Sequence, residues 1–237
     1  MNPCWPFPRE RKLDPELPTG EVLVSLDGEG IPSYDIVYPS AWDKIVISDA
    51  AILSVKESDA FIYGSLACRE GVSENTLLSR LNHAPFKIFD VNLRDPFVDF
   101  SLINRIMQIS DIIKMNYEEL FRVAAFMGYA SGSLTDNILF LSQKPGTNKV
   151  CVTRGKDGAV LFDGEQFYFN DGYKVKVEDT VGAGDSFLAG LIFRLLTTGD
   201  CDNALSFGCA TGALVATHTG ANPVIDKEEI EKIRIRN

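Results

Sequence analysis

From residue 43 onward, apolar positions alternate between a spacing of about 3.6 and short continuous runs, the pattern of helices interleaved with buried strands. The pattern predicts helices over 43–57, 73–82, 98–109, 118–127 and 134–143, and strands over 60–64, 87–91, 112–115 and 149–153. Ser131-Gly132-Ser133 breaks the chain between the last two helices. Strands over 159–162 and 166–169 follow, set off by Lys156-Asp157-Gly158 and Asp163-Gly164, so the sheet is expected to end in an antiparallel meander. Three helices close the chain, over 183–196, 203–217 and 227–233, the second rich in Ala and Gly. Upstream, residues 21–26 alternate in polarity, Asp27-Gly28-Glu29-Gly30 supplies turn residues, and 31–37 extends again, which predicts a β-hairpin. The expected class is an α/β fold, organised as an irregular segment (1–17), a hairpin (18–40) and an α/β core (41–237).

Composition narrows the function. The 237 residues are 45% hydrophobic and 24% charged, enough for a sizeable core. The formal net charge is −10 and no basic block interrupts it, which argues against a nucleic-acid partner. Five scattered cysteines form no CxxC pair, disulfide framework or zinc spacing, so a reducing, cytoplasmic compartment is expected. The sequence has no apolar stretch of bilayer-spanning length, and its proline-rich start has no apolar leader, so no membrane partner is expected. His83 and His218 read as structural or solvated.

The segment that points to chemistry is Asp179-Thr180-Val181-Gly182-Ala183-Gly184-Asp185-Ser186-Phe187, a glycine-rich turn opening directly into an apolar helix. Glycines let the backbone approach a ligand, and a helix N-terminus offers unpaired N–H groups and a favourable dipole for an anion. An aspartate at such a mouth can take a proton from a hydroxyl while those N–H groups hold charge developing on phosphate. Taken alone, the turn fits at least as well a tight loop with a helix-start carboxylate. The full string resembles DTxGAGDxF, the C-terminal signature of ribokinase-like (PfkB) sugar kinases. That resemblance implies a three-layer, doubly wound, Rossmann-like sheet with a small β-sheet lid. It also implies ATP and Mg²⁺ as cofactors and a sugar as acceptor, with Asp185 as catalytic base. The amides of Gly182, Ala183 and Gly184 would form the anion hole, and Asp179, Val181 and Gly220 a monovalent-cation (K⁺) site.

Other segments agree in order. Asn116-Tyr117-Glu118-Glu119 resembles the NxxE motif, implying that Asn116 and Glu119 organise magnesium and phosphate; an isolated NxxE is also a helix capping box. Val152-Thr153-Arg154-Gly155-Lys156-Asp157-Gly158 resembles VTxGxxG, placing Thr153, Gly155 and Gly158 at the nucleotide. The stretch 209–221 resembles the adenine-flanking helix and GA loop, where Cys209 stands at a position often held by Asn and reads equally as a buried small residue.

Asp90-Val91-Asn92-Leu93-Arg94 resembles the DxNxR segment of fructokinase-like and ketodeoxygluconate-kinase-like members. This makes Asp90, Asn92 and Arg94 substrate or phosphate residues, Arg94 with a loop salt bridge as an equal alternative. Residues 18–22 and the hairpin resemble part of the family's lid, which in relatives often forms a dimer contact, so a homodimer is implied. The likeness begins midway through the family's fold, with no GGxxxN-like segment, which implies an N-terminally truncated member. The expected function is therefore a fructokinase-like sugar kinase, against two alternatives: a silent nucleotide-binding remnant, and a kinase for another small alcohol such as a nucleoside.

Overall fold

The structure is a computed structural model and describes residues 13–26, 32–143 and 149–235. The predicted turn at 27–30 and most of the N-terminal segment lie outside the described residues. Strands β1 (Val22–Leu26) and β2 (Pro32–Ile36) pair antiparallel as a separate two-stranded sheet. The remaining strands form one six-stranded sheet in sequence order: β3 (Phe61–Gly64), β4 (Lys87–Asp90), β5 (Ile112–Asn116), β6 (Lys149–Thr153), β7 (Ala159–Phe162) and β8 (Phe167–Asn170). β3 to β6 run parallel, and β7 and β8 return antiparallel, as the meander pattern predicts.

Alternation along each strand builds two cores. Tyr63, Phe89, Ile113, Met115, Val150 and Val152 face one layer of helices: α2 (Gly71–Leu81), α3 (Phe100–Met107), α4 (Tyr117–Phe126) and α5 (Leu134–Gln143). Ile88, Ile112, Cys151, Ala159 and Leu161 face α6 (Ala183–Thr198) and α7 (Cys201–Val215) on the other. The result is the three-layer α/β architecture expected, with α8 (Lys227–Ile235) packed on α7 through Ile230. Among the described residues, no helix is long and apolar enough to cross a membrane.

One helix is shorter than predicted. Residues 43–57 do not form a single helix; a 3-10 turn over Ala41–Lys44 ends at Ile45, and α1 spans Asp49–Lys56. The β-branched run Ile45-Val46-Ile47 disfavours helix, the Ile45 N–H donates to Ser73 Oγ (2.9 Å), and Ser48 starts afresh by capping Ala51 N (3.2 Å). The chain leaving the hairpin is held by Arg69, which donates to Asp43 from Nε (2.6 Å) and Nη2 (2.8 Å) and to the Val37 carbonyl (2.8 Å). Its guanidinium stacks near the rings of Phe97, Tyr38 and Trp42.

The α6–α7 pair is set by glycines. A Cβ on Gly190 would lie 2.6 Å from Thr211 Oγ1, one on Gly208 2.9 Å from the Phe187 carbonyl, and one on Gly212 2.9 Å from the Ala183 carbonyl. The helices therefore approach more closely than side chains permit. Gly212→Val is expected to push α6 off α7 at its N-terminal turn and to lower stability by about 1–3 kcal/mol, read as a lower urea midpoint; an unchanged midpoint would show that this contact has slack.

Candidate active site

The sheet register assembles the polar residues. Gly64, Asp90 and Lys114 are paired in a row across β3, β4 and β5, and Asn116 is paired with Thr153 at the end of β5 and β6. The period of two that turns Ile88, Ile112 and Cys151 toward α6 and α7 turns Asp90, Lys114, Asn116 and Thr153 to the same side, at the carboxyl ends of the strands. Ligands collect there in open α/β sheets. The first turn of α6 stands over this row: a Cβ on Gly184 would be 3.7 Å from Lys114 Nζ.

The N-terminus of α6 is shaped by Gly182. Its φ of 78° is a left-handed conformation, and a Cβ there would lie 2.5 Å from the Ala221 carbonyl, so glycine is required on both counts. No side chain caps this helix end. The Ala183 amide donates to the Thr180 carbonyl (3.2 Å), so of the three amides expected to form an anion hole this one is already partnered; the first-turn amides of a helix have no intrahelical acceptor. Asp185, exposed in the first turn, lines a cleft of about 400 Å³ together with Asp90, Asn92, Tyr63, Leu188 and Ala189. Asn92 itself takes φ 45°, a conformation asparagine tolerates better than most residues.

A second cleft, of about 660 Å³, is lined by Asn116, Tyr117, Glu118, Thr153, Arg154, Gly155 and Asp157. Gly158 closes the turn beneath it at φ 80°, where a Cβ would meet the Asn170 carbonyl at 2.0 Å. Of the three residues assigned to the nucleotide, Thr153 and Gly155 border this cleft, and Gly158 lies in the turn that follows them.

Asn116 and Glu119 form the capping box their spacing allows: Asn116 Oδ1 accepts from Glu119 N (2.9 Å), and Glu119 Oε2 from Asn116 N (2.8 Å). Glu119 does more, because its Oε1 accepts from Leu93 N (2.8 Å) and so ties the loop after β4 to the start of α4. With both oxygens engaged and the residue buried, Glu119 orients the loops from below the clefts, while Asn116 and Glu118 face the larger one.

Asp179 gathers the expected cation residues. Its Oδ1 accepts from Val181 N and its Oδ2 from Gly220 N, each at 3.0 Å. These backbone donors hold its carboxyl below the usual range. Because its unfolded value is about 3.9, the tie between the two loops is fully present above that pH and is lost only as pH falls through the lower folded value. Cys209 is buried in the α6–α7 core, where burial pushes its thiol up to about 12. It lines neither cleft. Arg94 is exposed, donates to its own neighbour's carbonyl at Leu93 (3.0 Å), and also lines neither cleft; the alternative of a loop salt bridge is not met by Arg94, and the neighbouring Asp95 pairs with Arg122 (3.0 Å).

Sequence reasoning passed over Lys114. Its ammonium lies 3.0 Å from both oxygens of Asp90, and the pair is buried between β4 and β5. Burial raises the Asp90 carboxyl, an effect Lys114 opposes, while the Glu119 and Asp185 carboxylates push the same way as burial. The available signal was a lone charge inside the otherwise apolar run Ile112-Ile113-Lys114-Met115 of a central parallel strand. Among the described residues, no group of three or more His, Cys, Asp or Glu side chains is placed to hold a metal. A magnesium ion carried largely by nucleotide phosphates and water, with one or two protein oxygens such as those of Asn116 and Glu118, is compatible with this donor set.

A glycine-lined helix N-terminus with a carboxylate in its first turn, set over the strand ends of a three-layer sheet, is an arrangement suited to a transferring anion. The pfkB family carbohydrate kinase description matches residues 44–228, and the chain belongs to that family: it is a carbohydrate kinase, a phosphotransferase acting on a sugar. It is similar to a fructokinase of Vibrio alginolyticus, 30% identical over 226 residues that span 88% of this chain and 70% of that protein. It also resembles an aminoimidazole riboside kinase of Salmonella typhimurium, 27% identical over 225 residues, 89% of this chain and 68% of the relative. Among solved structures, fructokinase with bound ATP from Xylella fastidiosa superposes with a TM-score of 0.80 at 19% identity, covering 94% of this chain and 75% of that one. Aminoimidazole riboside kinase from Salmonella enterica, complexed with aminoimidazole riboside and an ATP analogue, superposes at 0.76 with 24% identity, covering 94% and 75%.

Glu119→Gln retains one acceptor oxygen but turns an NH₂ group toward either the buried Leu93 amide or the part-buried Asn116 amide. The variant is expected to lose about 1–3 kcal/mol of stability in urea denaturation; wild-type stability would mean that the glutamate does not hold the two loops together.

Proposed function

We propose that the chain transfers the γ-phosphate of ATP to a sugar hydroxyl in the manner of a fructokinase. The observation that carries this reading is the placement of Asp185 at the glycine-lined start of α6, lining one cleft with Asp90 and Asn92. In the reaction the acceptor hydroxyl gives its proton to Asp185, its oxygen forms the new bond to the γ-phosphorus, and the bond to the β-γ bridging oxygen breaks to release ADP. The backbone donors of Gly182 and Gly184 face the charge developing on the phosphoryl oxygens, the Ala183 amide being engaged with the Thr180 carbonyl. ATP lies along the larger cleft past Asn116, Thr153 and Gly155, with the sugar in the smaller cleft against Asp90 and Asn92. Magnesium, when bound, neutralises phosphate charge; potassium would sit by the loops that Asp179 joins at Val181 and Gly220.

The hairpin's exposed Val22 and Leu23 support its reading as a lid that also contacts a second copy of the chain. Fructose as acceptor is supported by the fructokinases among the relatives and by the DxNxR-like segment at Asp90.

The test is ATP-dependent phosphorylation by the purified chain with magnesium over fructose, ribose, ketodeoxygluconate and adenosine, alongside Asp185→Asn. Turnover of fructose is expected, with kcat lowered about 10²- to 10⁴-fold in the variant and ATP affinity little changed. Retention of more than half the wild-type rate would remove Asp185 from its role, and turnover of adenosine alone would replace the sugar assignment.

A further inference from the structure

Lys114 is costly where it stands. A lysine in a central parallel strand gives up its hydration, and a buried ion pair is often matched or bettered by apolar residues of similar volume. Its side chain is 9% exposed and its partner's 12%. Stability alone gives little reason for the pair, whereas its surroundings give it a task.

An ammonium has three N–H donors. The two oxygens of Asp90, each at 3.0 Å, take two of them. The nitrogen lies 3.7 Å from where a Cβ on Gly184 would stand, so Lys114 reaches the first turn of α6 with no side chain between them at that residue. Charge around that point is otherwise negative, since the carboxylates of Glu119 and Asp185 both act on Asp90. A phosphoryl group cannot approach three carboxylates without a counter-charge. Neither nearby guanidinium lines the smaller cleft with Asp90 and Asp185: Arg94 is exposed and donates to the Leu93 carbonyl, and Arg154 donates to the Asn170 carbonyl and lines the larger cleft.

We propose that Lys114 is a catalytic residue, its third N–H meeting an oxygen of the phosphoryl group in transit beneath Gly184, with Asp90 as the positioning residue that aims it. The assignment rests on reading the start of α6 as the phosphoryl site. Lys114 keeps its proton throughout; the proton of the acceptor hydroxyl still passes to Asp185. The lysine thereby restores local balance as negative charge arrives, and Asp90 prevents the flexible side chain from turning away.

The experiment is titration calorimetry with magnesium-ADP, alone and with tetrafluoroaluminate as mimic of the phosphoryl group in transit, in the presence of fructose, beside steady-state kinetics. Lys114→Met should bind magnesium-ADP as wild type does, yet lose about 10²- to 10³-fold in its gain from tetrafluoroaluminate, with kcat falling by a similar factor. Lys114→Arg should recover part of both. If Lys114→Met leaves Asp90 unpaired and fails to fold, Asp90→Asn/Lys114→Met, which removes both charges, takes its place with the same expectation. Equal loss of ADP and tetrafluoroaluminate complexes, or no loss of either, would overturn the proposal and mark the pair as structural. Wild-type protein that gains nothing from tetrafluoroaluminate would instead defeat the phosphoryl site itself, and the role of Lys114 with it.

Discussion

The height of α6 above the sheet is fixed by its contact with α7, and the site depends on that height. Gly190, Gly208 and Gly212 bring the two helices to a distance at which any added Cβ would strike Thr211 Oγ1 or the carbonyls of Phe187 and Ala183. α7 is in turn anchored on the strands through Ala204, Leu205 and Cys209. The backbone donors at the start of α6, and Asp185 one residue beyond Gly184, are thereby carried to a set place over Asp90 and Lys114. Backbone donors stabilise transferring charge only when they need not reorganise, so rigid packing behind the loop is part of the chemistry before it.

Polar groups at the strand ends are handled by mutual satisfaction. Glu119 spends both oxygens on backbone amides from two different loops, Asp90 spends both on Lys114, and Asp179 spends both on Val181 and Gly220. Asp185 stands apart as the exposed carboxylate in the first turn of α6, lining the smaller cleft. The contrast suits a division of labour in which tethered carboxylates build the walls and an untethered one meets the substrate.

Much of this was legible in the sequence because the local rules agree with the fold. The strands over 87–90, 112–116 and 149–153 carry adjacent apolar residues, Ile88-Phe89, Ile112-Ile113 and Val150-Cys151-Val152, since both faces are covered, and Gly182 precedes its helix because only a residue free to adopt positive φ fits against Ala221. Helix 43–57 was over-extended because its apolar spacing hid a β-branched run whose backbone bonds to Ser73, a partner 28 residues away. Lys114 was passed over for a similar reason: it acquires its meaning from Asp90 on the adjacent strand and Gly184 on a distant helix. The NxxE segment carried its capping role openly, but the bond from Leu93 to Glu119 depends on how two loops meet and leaves no mark in the spacing. Cys209 is buried in the core, and Arg94 is exposed with its guanidinium on the Leu93 carbonyl, forming neither a cleft wall nor the loop salt bridge weighed for it.

The central claim is that phosphoryl transfer takes place at the start of α6 with Asp185 facing the acceptor. It is tested most directly by a crystal structure of the chain with magnesium, a non-hydrolysable ATP analogue and fructose. The account predicts the terminal phosphate over Gly182 to Gly184, and a fructose hydroxyl within hydrogen-bond reach of the Asp185 carboxylate on the side of Asp90 and Asn92. A terminal phosphate seated away from this helix end, or a sugar bound out of reach of Asp185, would contradict it.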